Sequence, residues 1–268
     1  MKNFLQNAFL ILIFPCFYPI MGKTQLPINL LALEDEQFNA YFFNKANLPV
    51  VKGRVINADP IQLDTLTIKY IIQLPYSQKQ VEKKCKVEAT GDFLLEFDYP
   101  FPYQWVTLNV EDYFTFNIYA NKALTIEIDA AKLINKPGKK DKSGLKFEGA
   151  DAELNRYSTK YFDKRINHNT DELLKLETEL IQLQINSSIS DADFFKKYDS
   201  IYAFFFEMDN TFIKENPSPH NWIISNERWS DYYSSVFLRY WGREMPDSLY
   251  KVVKKHKPFL NSPQGSSF

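Results

Sequence analysis

Between Glu148 and Asp151 the hydrophobic period of the chain changes. Upstream, apolar residues alternate one by one, as Phe93, Leu95, Phe97 and Tyr99 do. Downstream, Leu154, Tyr157, Tyr161 and Phe162 recur at spacings of three and four. A period of two places one strand face on a core, and a period near 3.6 places one helix stripe on a core. A chain that uses first one period and then the other segregates its strands from its helices. The predicted class is therefore α+β, with an N-terminal antiparallel β-sandwich followed by an α-helical region.

The β-rich half gives several short strands separated by turn residues. Val50–Ile56 contains Gly53, and residues 62–73 are rich in β-branched residues up to Pro75. Residues 81–89 can return as its partner, and Thr90-Gly91-Asp92 marks a turn before the Phe93 strand. Pro100 and Pro102 prevent regular pairing, so a corner is expected before the 103–110 strand. Two further alternating runs, through Phe116 and through Ile126, flank a turn at Ala120-Asn121-Lys122. The segment 135–144 reads as a polar, basic, solvated loop, and Leu145–Glu148 as a last strand.

The helical half carries its own start and stop signals. Asp151 can cap the first helix. A second begins at Thr170, with Asp171 and Glu172 at the positive end of its dipole and Leu173, Leu176, Leu180 and Leu183 on one face. Ser190 caps a third, with Asp193 at the capping-box position and a stripe from Phe194 to Phe212. The Asn216-Pro217-Ser218-Pro219 segment stops it. A fourth is expected near residues 226–241, closed by Gly242, and a short amphipathic piece over 247–256. The expected organisation is a signal peptide over 1–22, a β-sandwich domain over 23–149, a helical domain over 150–257 and a disordered tail over 258–268.

The signal reading rests on Lys2 followed by the apolar stretch 8–18, which is shorter than the roughly 20 residues of a membrane span. No stable membrane span is expected, and the location implied is exported, periplasmic or cell envelope. Pro15 and Ile13 fit a lipobox poorly, so lipid anchoring at Cys16 is not expected. Removal of the leader would leave Cys85 alone, a strand residue without a disulfide partner. The 32 basic and 33 acidic residues nearly cancel, which gives no electrostatic footprint for nucleic acid.

The order of elements is similar to that of a known family. A Gly-containing strand (VVKGRVI), a turn-Gly-Asp-Phe strand (ATGDFLLEFDYP), a Tyr-rich strand pair, LTIEID, and then LKFEGADAELNRY opening a helical segment resemble the N-terminal region of TlpA-like thiol-disulfide oxidoreductases of the Bacteroidetes cell envelope. The resemblance covers roughly residues 45–245. It implies a β-sandwich module with a helical connector, which in the family precedes a thioredoxin domain with a WCxxC motif. Here the sequence ends at Phe268 with no CxxC, so no catalytic residue carries over and no enzyme activity is expected.

Direct inspection of the residues gives little chemistry. His168, His220 and His256 are far apart and lack zinc-ligand spacing, so neither a metal nor a cofactor is expected. No G-x-S-x-G elbow or Gly-rich phosphate loop is present. Asp92, Glu96 and Asp98 share one strand face and could bind calcium or act on a sugar, although solubility explains them more simply. Asp191 and Asp193 have a sufficient use at a helix start. The basic run 251–257 could suit an acidic surface or be the wet side of a terminal helix. Tyr103 and Trp105, beside Tyr99, form the one candidate ligand or partner surface, provided their face is open; otherwise they are core. The expected function is a non-catalytic envelope module for protein contact or positioning. The alternatives are a truncated or split oxidoreductase and a glycan-binding sandwich.

Overall fold

The computed structural model describes residues 44–256, except 59–62, 64, 74–79, 111–113, 135–141, 168–169 and 186–187. The expectations for the signal peptide, Cys16, the 258–268 tail, His168 and most of the basic 135–144 loop lie outside the described residues.

Among the described residues, eight strands form two four-stranded sheets. They are β1 (Val50–Ile56), β2 (Thr67–Gln73), β3 (Gln80–Lys86), β4 (Asp92–Leu95), β5 (Gln104–Val110), β6 (Phe114–Ala120), β7 (Ala123–Asp129) and β8 (Leu145–Glu148). One sheet has the order β4-β1-β7-β8 and the other β3-β2-β5-β6. All neighbours are antiparallel except β1 and β7, which run parallel from Val50 opposite Ala123 to Ile56 opposite Asp129. The first sheet is therefore mixed. A short helix, α1 (Ala130–Ile134), follows β7 directly.

The alternation read from the sequence lines the space between the sheets. Val51, Val55, Phe93, Leu95, Leu124, Ile126 and Ile128 face Ile68, Tyr70, Val106, Leu108, Phe116 and Ile118 in one continuous core. Gly53 belongs to this inner face, opposite Phe93. A Cβ there would stand 2.3 Å from the Phe93 ring and 2.4 Å from the Ile126 carbonyl oxygen. The glycine thus makes room for a ring, which is why a residue of poor strand propensity sits in a central strand. Gly91 has φ +84° in the turn before β4, and its carbonyl accepts from the Val55 amide. Pairing of β4 stops at Leu95. The next residue, Glu96, has both its N–H and its carbonyl on the Tyr70 hydroxyl, each at 3.0 Å.

The helical half comprises α2 (Ala152–Asn167), α3 (Thr170–Ile185), α4 (Asp191–Glu215), α5 (Asn221–Arg239) and α6 (Asp247–Val253). The Ser190 hydroxyl caps α4 by accepting from the Asp193 amide at 3.1 Å. It also donates to the Asp193 carboxylate at 2.6 Å. At the other end Asn216 closes α4, donating both its backbone and side-chain N–H to the Phe212 carbonyl. Helix α5 starts at Asn221, five residues before the expected position. The extra turn is apolar without a period, because Trp222 and Ile223 are buried in one cluster and Ile224 in another. The interior of this half is aromatic: Phe194, Tyr198, Tyr202, Phe205 and Tyr232 pack with Leu173, Leu180 and Val236.

Candidate functional site

The first turn of α2 is the joint between the two halves. Strand β6 is an edge strand, and its backbone on the open side needs partners. Asn155 supplies them. Its Oδ1 accepts from the Tyr119 amide at 2.8 Å, and its Nδ2 donates to the Tyr119 carbonyl at 2.9 Å. The same amide nitrogen also donates to the Asp151 carbonyl at 2.8 Å. Asn155 thereby substitutes for one residue of a ninth strand, and it is fully buried. One turn earlier, the Asp151 carboxylate accepts from the amides of Asn121 and Lys122 at 3.0 and 2.6 Å, while its own N–H donates to the Ala123 carbonyl. Burial raises the Asp151 pKa, and the amides of Lys122 and Asn121 pull against that rise. The Arg156 guanidinium donates to the Phe147 carbonyl at 2.6 Å.

Packing completes the joint. Tyr103, Tyr119, Leu154, Trp222 and Ile223 form one buried cluster, with Trp105 against it. Tyr103 has φ +51°, left-handed and costly by about 1 kcal/mol for a side-chain-bearing residue. The corner predicted from Pro100 and Pro102 is held by Gln104, whose Nε2 donates to the carbonyls of Tyr99 and Phe101 at 2.8 and 3.0 Å. That corner delivers the Tyr103 ring edge-on to Trp222, centroids 4.8 Å apart. Trp105 lies edge-on to both Tyr119 and Phe162, at 5.0 and 5.2 Å. Tyr119 then reaches α5, its hydroxyl donating to Glu227 at 3.1 Å.

The candidate surface of Tyr99, Tyr103 and Trp105 is therefore not an open face. Tyr103 and Trp105 are covered by α2 and α5, and their role in the fold is to seat those helices. Tyr99 lies apart from them, half-buried and stacked on Phe101 at 5.5 Å. The carboxylates Asp92, Glu96 and Asp98 do not converge. Asp92 pairs with Arg54 at 2.6 and 3.0 Å, and Asp98 with Lys83 at 2.8 Å. The Arg54 pair, with help from Thr90, holds the Asp92 carboxyl below its ordinary pKa. Among the described residues, no three His, Cys, Asp or Glu side chains come close enough to hold a metal ion.

Cys85 sits in β3, half-buried, its thiol donating to the Leu94 carbonyl at 3.1 Å. Burial raises its pKa, which lowers its thiolate fraction at neutral pH. His220 precedes α5, its ring 4.0 Å from Glu153. His256 packs on Tyr233, and its Nε2 is 2.9 Å from the Ser230 hydroxyl. Burial brings its pKa down to about 4. Asp191 does more than start a helix. It binds Arg239, Tyr240 and Arg243, tying the start of α4 to the end of α5.

A buried ionic cluster was not expected from the sequence. Arg228 of α5 and Asp209 of α4 are each only 4 % exposed at the side chain. The Arg228 Nε donates to Asp209 at 2.7 Å, and the Tyr161 hydroxyl of α2 donates to the other carboxylate oxygen at 2.6 Å. Asp231 stands 3.6 Å from the same guanidinium and accepts from the Tyr202 hydroxyl at 2.9 Å. The Phe205 ring lies 4.7 Å from the guanidinium carbon. Burial works against the Arg228 cation, and the Asp209 carboxylate more than offsets it, so its pKa is raised. Sequence signals for this cluster existed. Asp209 falls inside the apolar stripe of α4, between Phe205 and Phe212, and Arg228 lies between the buried Ile224 and Tyr232 of α5. A cleft of about 370 Å³ between α2 and α4 lies beside this cluster, lined by Tyr161, Phe204, Met208 and Phe212 and rimmed by Lys164 and Glu207.

No described helix is long and apolar enough to cross a membrane. Comparison of the chain with known family models, curated proteins and solved structures found no match.

Proposed function

We propose that this chain is a non-catalytic module of the cell envelope, corresponding to the sandwich and helical connector of TlpA-like proteins, and that it acts by protein contact or positioning. The observation that carries this reading is the joint at Asp151 and Asn155. One helical turn ties the helical half to the edge strand and the β6–β7 turn through four side-chain-to-backbone bonds. A buried aromatic layer reinforces them. Such a joint holds two surfaces at a fixed angle, which is what a positioning module requires. The raised pKa of Cys85 and its engagement with Leu94 favour a structural thiol over a redox one.

The test is affinity capture from envelope extract with in-cell crosslinking. The intact chain is expected to retain a specific partner that is lost when Asp151→Ala and Asn155→Ala together break the joint. Equal retention by the folded double variant would contradict positioning through this joint. Reduction of insulin disulfides by the purified chain, abolished by Cys85→Ser, would overturn the non-catalytic reading.

A further inference from the structure

The end of the helical half carries the exposed aromatic residues that the rest of the fold hides. Trp241 is 75 % exposed, and Leu238, Tyr250 and Phe237 are 56, 51 and 42 % exposed. Phe237 and Trp241 stand one turn apart, rings edge-on with centroids 6.0 Å apart. Just after α6, His256 contacts Ser230 and Tyr233 of α5, and Tyr240 and Leu249 belong to the same core cluster. Phe237 and Trp241 follow Tyr233 at four and eight positions along the chain.

Charge at this end is one-sided. Residues 237–256 hold five cations against two carboxylates, in a chain whose charges otherwise nearly cancel. Asp191 engages Arg239 and Arg243. The three lysines of the α6 segment, Lys251, Lys254 and Lys255, are exposed, and the Lys254 ammonium lies 5.7 Å from the Tyr250 ring centre.

We propose that this α5–α6 end is a docking surface for an anionic lipid bilayer, with Phe237, Leu238, Trp241 and Tyr250 entering the headgroup layer and Lys251, Lys254 and Lys255 meeting the lipid phosphates. Trp and Tyr, apolar in body and polar at one end, suit a bilayer interface and a protein interface alike, so the lysines decide the occupant. Lysine is depleted from protein–protein interfaces, whereas a cluster of lysines beside an apolar patch gains from an anionic membrane surface. The inference is independent of whether the chain also positions a protein partner.

The test is flotation of the full chain with vesicles of phosphatidylcholine alone, and with about one-third phosphatidylglycerol. The wild-type chain is expected to float with the anionic vesicles, to be released by raised salt, and to leave neutral vesicles largely unbound. Trp241→Ser with Phe237→Ser is expected to lower anionic-vesicle binding by about tenfold or more. Reversal of the three lysines to glutamate is expected to remove the anionic preference. All these positions are exposed, so circular dichroism should show the variants folded. Absence of wild-type binding at low salt would overturn the proposal. So would equal binding to both vesicle types, or unchanged binding by the aromatic variant. A concentration-dependent dimer that Trp241→Ser dissolves would also overturn it, assigning the face to a second copy of the chain.

Discussion

Replacement of Asn155 by alanine removes three hydrogen bonds at once, and two of them serve the backbone of a buried edge residue. Tyr119 is 0 % exposed, so its N–H and C=O have no route to water once the Asn155 amide is gone. A buried polar group left unpaired costs about 1–3 kcal/mol. Partial relaxation of the joint lowers the sum for the two groups, so the expected loss is about 3 kcal/mol. With a urea m-value of about 2–3 kcal/mol/M, the unfolding midpoint should fall by roughly 1–1.5 M. Asn155→Asp is a sharper probe. It preserves shape but places an acceptor against the carbonyls of Tyr119 and Asp151, so it should cost more than alanine at pH 7. Part of that loss should return at acid pH, where the protonated carboxyl can donate once. The assay is urea unfolding of each variant, followed both by far-ultraviolet circular dichroism and by tryptophan fluorescence. A midpoint shift below about 0.2 M for Asn155→Ala would refute the argument that this side chain completes the sheet edge.

Three further outcomes are expected. Asp209→Ala leaves the buried Arg228 cation only the more distant Asp231 and should cost about 3 kcal/mol by urea unfolding, whereas exposed Asp193→Ala should cost about 1 kcal/mol through loss of helix-start contacts. His256 has its folded pKa depressed to about 4, so its contribution is complete above the ordinary value near 6.5 and fades as pH falls towards 4. After allowance for its solvent access the effect is at most about 2 kcal/mol, and it appears as a loss of stability between pH 7 and 4 that is smaller in His256→Gln. Gly53→Ala forces a Cβ into the Phe93 ring and the Ile126 carbonyl, and should destabilise by about 1–3 kcal/mol, with Phe93→Leu in the same chain recovering part of the loss.

The strands were legible because apolar residues alternate along them. Phe93, Leu95, Phe116 and Ile126 could be assigned to the inner face from alternation alone. The helices after Asp151 were legible from their caps and stripes, as at Ser190 and Asn216. The parallel pairing of β1 with β7 was not, because nothing local in either strand encodes a neighbour that lies 73 residues further along the chain, as Ala123 does from Val50. The direction of the outer-face aromatics was equally hidden. Tyr103 and Trp105 alternate as a solvent-facing pair would, and only the docking of α2 and α5 buries Tyr103 and partly covers Trp105. Asp151 could be read as a helix cap, yet its carboxylate serves the β6–β7 turn. Asn155 gave no signal, since a polar residue in a first helical turn is ordinarily solvated. Asp209 and Arg228 did give one, a charge inside an apolar stripe on each of two helices, and reading the stripes for exceptions would have found the pair.

Exchange of the Tyr119 amide hydrogen, measured by NMR, tests most directly whether the two halves are one joined unit. Alternation along β6 puts the amides of Thr115 and Asn117 on the same outward edge as that of Tyr119. If Asn155 closes the edge at Tyr119, its amide exchanges as slowly as those of the sandwich core while its two neighbours along the edge exchange faster. Equally fast exchange at all three would mean that α2 does not hold the sheet, and the fixed joint on which the positioning role depends would be gone.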